Sequence, residues 1–118
     1  MRHNELQIQK SIIKWARCAS SVRPELELLH SIPNGQNTTP KNRKNLVLSG
    51  LLSGIPDLFL PVARGGFHGL YIELKTETGR LSVIQKKIMK LLSEQGYKTI
   101  VSRNSWDAIS EIELYIQS

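Results

Sequence analysis

Apolar residues recur along this chain at two periods, and the switches between them divide it into elements. From Asn4 to about Ala19 the spacing is helical, with Ile8, Ile12, Trp15 and Ala19 on one face. Asn4 is placed to cap that helix, with Gln7 three residues on in capping-box position. Pro24 breaks any helix before Glu25, and Leu26, Leu28 and His30 then alternate with Glu27, Leu29 and Ser31 as a first strand would. The strand ends in a turn-rich loop, Ile32 to Asn37, whose Asn-Gly pair tolerates positive φ. Thr39 followed by Pro40 reads as a cap and first helical position, opening a short helix to about Gly50.

Gly54 to Leu60 and Leu70 to Lys75 read as two strands, and the link between them holds Gly65, Gly66 and Gly69. The simplest connection is an antiparallel hairpin. Ser82 and Gln85 form a capping box before a helix marked by Leu81, Ile84, Ile88, Leu91 and Leu92 and stopped by Gly96. Tyr97 to Ser102 is a further strand, so the preceding strand and helix make a parallel crossover with it. Asn104 or Ser105 caps a last helix, in which Trp106, Ile109, Ile112 and Ile116 are expected to dock on the sheet. The expected fold is α/β: a mixed sheet flanked by helices, in the order α-β-(α)-β-β-α-β-α, as one domain over 1–118.

Within this frame the hairpin carries charge where a strand should be apolar. Asp57 and Glu73 each stand eight residues from Gly65, so a hairpin folded there sets them face to face, with Cβ atoms about 5 Å apart. Alternation puts Tyr71, Glu73 and Lys75 on one strand face and Leu70, Ile72 and Leu74 on the other. Two acids and an amine converging on an apolar strand pair are costly unless a cation binds there, and a divalent metal meets that need. Glu5 lies on the apolar stripe of the first helix and is either a complement to the helix dipole or a third acid aimed at the cluster. Gln85 has a structural role as capping partner, yet it also faces inward.

Composition narrows the partners. With 16 Lys and Arg against 10 Asp and Glu, a net charge of +6 on 118 residues suits a polyanion, nucleic acid first. Lys41, Arg43, Lys44 and Arg80 are candidate phosphate contacts, Asn34 belongs to a loop able to join them, and a solvated charged face is the alternative for the cations. Cys18 is the only cysteine, which excludes an intrachain disulfide and a multi-cysteine zinc site. Neither an apolar signal core nor a run of about 18 apolar residues is present, so a soluble intracellular protein is expected, cytoplasmic in a prokaryotic or viral host. His3, His30 and His68 have no visible metal partners, and Trp15 and Trp106 read as packing residues rather than base stackers.

Pro56-Asp57 followed by Glu73-Leu74-Lys75 is similar to the Pro-Asp…(Asp/Glu)-x-Lys signature of the restriction-endonuclease-like nucleases. Glu5 in an N-terminal helix, Pro33-Asn34-Gly35, Gly54-Ile55-Pro56-Asp57, Ile72-Glu73-Leu74-Lys75 and Leu81-Ser82-x-x-Gln85 occur in that order. Together they resemble the VRR-NUC nucleases across nearly the whole chain. The resemblance implies that Asp57, Glu73 and the Leu74 carbonyl hold Mg2+ or Mn2+, with Glu5 binding the metal through water or completing a second site. It implies that Lys75 orients the attacking water and stabilises charge on phosphate, and that Gln85 fixes water or Lys75. The expected activity is metal-dependent endonucleolytic cleavage of DNA, most closely that of a dimeric, junction-resolving enzyme acting on branched substrates. A flap-cutting or general DNA or RNA nuclease, and a basic DNA-binding module with structural acids, are the alternatives.

Overall fold

The computed structural model describes residues 3–34 and 38–118, without the side chains of His3 and Asn4. Helix α1 runs His3–Ala19, strand β1 His30–Ser31, helix α2 Pro40–Leu48, β2 Leu58–Leu60, β3 Leu70–Leu74, α3 Val83–Glu94, β4 Lys98–Ser102 and α4 Ser105–Gln117. The strands form one mixed sheet in the order β1-β2-β3-β4, antiparallel at the first two pairings and parallel between β3 and β4. The α/β order read from the sequence is therefore present.

The sheet separates an apolar face from a chemical one. Leu58, Leu60, Leu70, Ile72 and Leu74 are all essentially buried and pack with Ile12 and Ala16 of α1 and with Ala108, Ile112 and Tyr115 of α4. Their neighbours by alternation, Phe59, Tyr71 and Glu73, rise on the opposite face. There Phe59 and Tyr71 stack with ring centroids 4.3 Å apart, and Tyr97 of the adjoining segment meets both rings edge-on. Far from the acids, the Tyr115 hydroxyl donates to the Val62 carbonyl at 2.6 Å, and Arg64 bridges Glu25 and the Ile116 carbonyl, tying the hairpin loop to α4.

The hairpin pairs Leu58 with Ile72, Phe59 with Tyr71 and Leu60 with Leu70, the register centred on position 65. Its tip turns through Gly65 and Gly66 at φ 56° and 86°, inside a bridge between Arg64 and Phe67. Such left-handed backbone is the reason two glycines stand there.

Three expectations give way. Residues Pro24–Leu28 form a 3₁₀ helix rather than the start of a strand, and only His30–Ser31 pair with β2. Pro24 fixes the first φ, and Leu26 and Leu29, three apart, are the buried pair while Leu28 is half exposed. Trp106 does not dock on the sheet; it is 77% exposed, because the buried stripe of α4 runs through Ala108, Ile112 and Tyr115. Trp15, by contrast, packs at the edge of the core. Helix α1 already includes Asn4, so Asn4 does not precede it as a cap, and its side chain lies outside the described residues. The Gly35 to Asn37 part of the expected turn also lies outside them.

Other local expectations match. The Thr39 hydroxyl accepts from the Asn42 amide, with Pro40 at the first position of α2, and Asn104 caps α4 through the Asp107 amide. His30 is exposed, its Nδ1–H donating to the Leu28 carbonyl at 2.8 Å. Among the described residues no helix is long and apolar enough to cross a membrane.

Candidate active site

Asp57 immediately precedes β2, and Glu73 and Lys75 occupy the end of β3 and the position after it. Their alternation with core leucines anchors the backbone while projecting these three side chains from the other face. Asp57 Oδ2 accepts from the Leu74 amide at 2.7 Å, which extends the antiparallel pairing one step through a side chain. Glu73 is 3% exposed. Lys75 Nζ lies 3.9 Å from Glu73 Oε2, with its side chain 14% exposed.

Gln85 reaches the same oxygen from α3: Nε2 donates to Glu73 Oε2 at 3.0 Å. Its Oε1 simultaneously accepts from the Ser82 amide at 2.9 Å, so the capping box and the site contact are made by one side chain. Gly54 admits this approach of α3. With φ at 85°, a Cβ there would stand 2.6 Å from Ile84 Cγ2.

A cavity of about 120 Å³ is lined by Glu5, Asn34, Arg43, Asp57, Glu73, Lys75 and Gln85, with Ser53, Gly54 and Ile55 forming one wall. A second, of about 190 Å³, shares Glu5, Asn34 and Asp57 and adds Gln9 and the Pro33 turn. The side chains named from the sequence as catalytic thus share one pocket, together with two of those named as DNA contacts. Lys41 and Lys44 are exposed on α2 and Arg80 is exposed on the loop after β3, and none of the three lines it.

Electrostatics at the acid pair follow from burial. Desolvation is the main influence raising the Glu73 pKa to about 8, reinforced by the Asp57 charge and opposed by Lys75. Burial also raises the Asp57 carboxyl, against the Leu74 amide, a hydrogen bond from Glu73 and the Lys75 charge. Burial thus disfavours the charged form at both carboxyls, and the Lys75 charge opposes that effect at each.

That chemistry fits a hard divalent cation. Two neighbouring carboxyls, Glu73 buried and Asp57 partly buried, whose charged forms burial disfavours, gain from an ion that prefers oxygen ligands. Among the described residues no three Asp, Glu, His or Cys side chains gather closely enough to enclose a metal. Backbone oxygen and water would therefore have to complete a shell.

The family model for the VRR-NUC domain matches residues 3–106. The chain belongs to the VRR-NUC family. A solved structure described as a VRR_NUC domain protein is similar with a TM-score of 0.80 at 26% identity, over 97% of this chain and 88% of that one. Comparison with curated proteins gave no match. VRR-NUC domains are restriction-endonuclease-like nucleases, so the family implies a hydrolase acting on DNA.

In this VRR-NUC domain, sequence reasoning passed over several lining residues. Gln9 had a signal, since it lies one helical turn beyond Glu5. Ser53 had none beyond its neighbourhood. Arg103 was also unmarked: its Nη1 donates to the carbonyls of Thr76 at 2.8 Å and Gly79 at 2.5 Å, clasping the loop that leaves Lys75. Its partners lie more than twenty residues away, beyond the reach of local pattern.

Proposed function

We propose that this single VRR-NUC module is a divalent-metal-dependent endonuclease that hydrolyses phosphodiester bonds in branched DNA and works as a homodimer. The observation that carries the reading is the convergence of Asp57, Glu73, Lys75 and Gln85 on one pocket that Glu5 and Arg43 also line. A structural pair of acids has no need of a lysine, a glutamine and an open cavity beside it.

Mg2+ or Mn2+ held by Asp57, Glu73 and the Leu74 carbonyl, with Glu5 acting through water, would supply an activated water and neutralise charge at the five-coordinate phosphorus. Lys75 stands at the mouth of the pair, where its ammonium offers hydrogen bonds to a non-bridging phosphate oxygen and to the incoming water. Gln85 keeps Glu73 in place through Nε2 and is itself kept in place through Oε1. Across the pocket Arg43 and Asn34 border the path of the phosphate backbone, and their own contact, Arg43 Nη1 to the Asn34 carbonyl at 3.3 Å, joins α2 to the Pro33 turn. Lys41, Lys44 and Arg80 extend positive charge beyond the pocket as phosphate contacts.

The decisive experiment compares Asp57→Ala, Glu73→Ala and Lys75→Ala with the parent on four-way junction, flap, duplex and single-strand DNA, with Mg2+, Mn2+ or chelator. Each variant is expected to lose at least about a thousandfold in cleavage rate, on the scale of removing a principal electrostatic group. Folding and junction binding should persist. Parental cleavage by Asp57→Ala would sink the assignment.

A further inference from the structure

Strand β4 is the last of the sheet, so one of its two sides has no strand beside it. The Lys98 amide donates to the Gly69 carbonyl at 2.9 Å and the Ser102 carbonyl accepts from the Lys75 amide at 3.0 Å, so Lys98, Ile100 and Ser102 turn their backbone groups toward β3. By alternation Thr99 and Val101 turn theirs outward, two donors and two acceptors on an open edge. Natural sheets blunt such an edge with proline, a bulge or a covering segment. Here β4 follows β3 without interruption over all five residues and contains no proline.

Next to this edge lies a cleft of about 490 Å³, walled by β4 and by Asp107, Ser110 and Glu111 of α4. Lys98 lines it at the start of the strand and Ser102 at the end, with Asp107 just beyond. Ser102 is 2% exposed, and its Oγ is the one buried side-chain polar atom among the described residues without a hydrogen-bond partner. A buried hydroxyl left so needs a partner from elsewhere. The edge is thus cationic at one end and acidic at the other, with an orphaned hydroxyl at the acidic end, and such a surface complements a reversed copy of itself.

We propose that β4 pairs antiparallel with β4 of a second copy, about a twofold axis through Ile100, joining two four-stranded sheets into one of eight strands. The proposal rests on the homodimer reading for its occupant and names the surface that reading lacks. In this register Thr99 faces the partner's Val101, so every outward donor and acceptor of both strands is paired. Lys98 faces the partner's Ser102 on the same side of the sheet, where its ammonium can meet the orphaned hydroxyl and Asp107 beside it. Lys98 against Asp107 and Glu111 also makes this edge attractive between copies that each carry +6. The axis stands perpendicular to the sheet, so both Asp57/Glu73 pairs project from one face. Glu73 lies beside Val101, and Asp57 precedes the next strand out. With strands about 4.8 Å apart and about 3.3 Å per residue, the two acid pairs stand about 20 Å from one another.

A disulfide trap reads the register without turnover. In a Cys18→Ser background, which removes the one native thiol, metal-free Ile100→Cys should link into a dimer under copper phenanthroline. Facing positions between hydrogen-bonded pairs bring Cα atoms to about 4.5 Å, within disulfide reach. Leu48→Cys, on the exposed side of α2, should link at least tenfold more slowly. Val101→Pro deletes an outward N–H but no bond to β3, so it should melt like the parent and self-associate at least a hundredfold more weakly by sedimentation. Lys98→Glu and Asp107→Lys should each fail to associate alone and associate when mixed, because the mixed pair restores opposite charges at both contacts. Equal linking by Leu48→Cys, parental association by Val101→Pro, or no rescue on mixing would each overturn the interface. Association lost only in Leu48→Asp or Val83→Asp would do so as well, by moving the dimer to α2 and α3. A monomeric parent would remove the homodimer too. Metal-dependent nicking that Asp57→Ala abolishes judges the nuclease reading separately from all of these.

Discussion

Glu73 is the residue on which charge, burial and chemistry meet. Its carboxyl is nearly out of water and titrates at about 8, against 4.5 for an ordinary glutamate, with desolvation and the Asp57 charge as the leading causes. The sign of the stability effect follows. Below about 4.5 the folded and unfolded chains both carry the proton, so Glu73 imposes no penalty. As pH rises toward 8 the unfolded chain releases that proton while the folded one keeps it, and stability falls; above 8 the loss is complete, on the order of a few kcal/mol. Urea unfolding of metal-free parent and Glu73→Gln across this range should therefore give curves that diverge, the variant becoming the more stable at high pH. Parallel curves would mean that Glu73 is not the protonated partner. A divalent cation must displace the same proton, so calorimetric titration with Mg2+ should show proton release, and affinity should increase with pH up to about 8.

Among the elements, α3 shows how local structure and site geometry are made by the same atoms. Gln85 Oε1 closes the capping box with Ser82 while Nε2 holds Glu73, so the start of the helix aims at the acid pair. Ser82→Ala removes one capping bond and should cost about 1 kcal/mol; Gln85→Ala removes the reciprocal bond and the Glu73 contact and should cost about 2 kcal/mol. Chemical denaturation of both variants decides this, and equal costs would deny the Glu73 contact any net worth. The hairpin was readable because strand alternation and the glycine centre agree on one register, which the Leu58 to Ile72 pairing follows. The segment before it was not. Leu26, Leu28 and His30 satisfy a period of two, but Leu26 and Leu29 equally satisfy a period of three, and only packing against α1 selects the latter. Trp106 failed similarly: two faces of α4 carry large apolar residues, and the sheet takes the one containing Ala108 and Tyr115. Long-range contacts such as Arg103 with the loop after Lys75 leave no local trace at all.

At the scale of the whole molecule, each chain carries one Asp57/Glu73 pair, while resolving a junction requires cuts in two symmetry-related strands. A C2 dimer is the smallest assembly that supplies two sites in fixed relation. The net charge of +6 on each copy gives attraction for DNA but repulsion between copies, so any self-association must be sustained by other surface. Apolar surface is available next to the pocket. Helix α2 has no fully buried residue, Leu48 and Val83 are 76% and 83% exposed, and Gly54 brings the segment after α2 against Ile84 at the start of α3. Mixed dimers provide the test of function. Parent protein co-assembled with excess Asp57→Ala would hold one competent and one dead pocket, and on a four-way junction should yield nicked junctions in place of paired nicked duplexes. Light scattering at the assay concentration must show two copies. If it shows one, or if dilution with Asp57→Ala leaves the proportion of paired cuts unchanged, the two strands are cut by independent monomers.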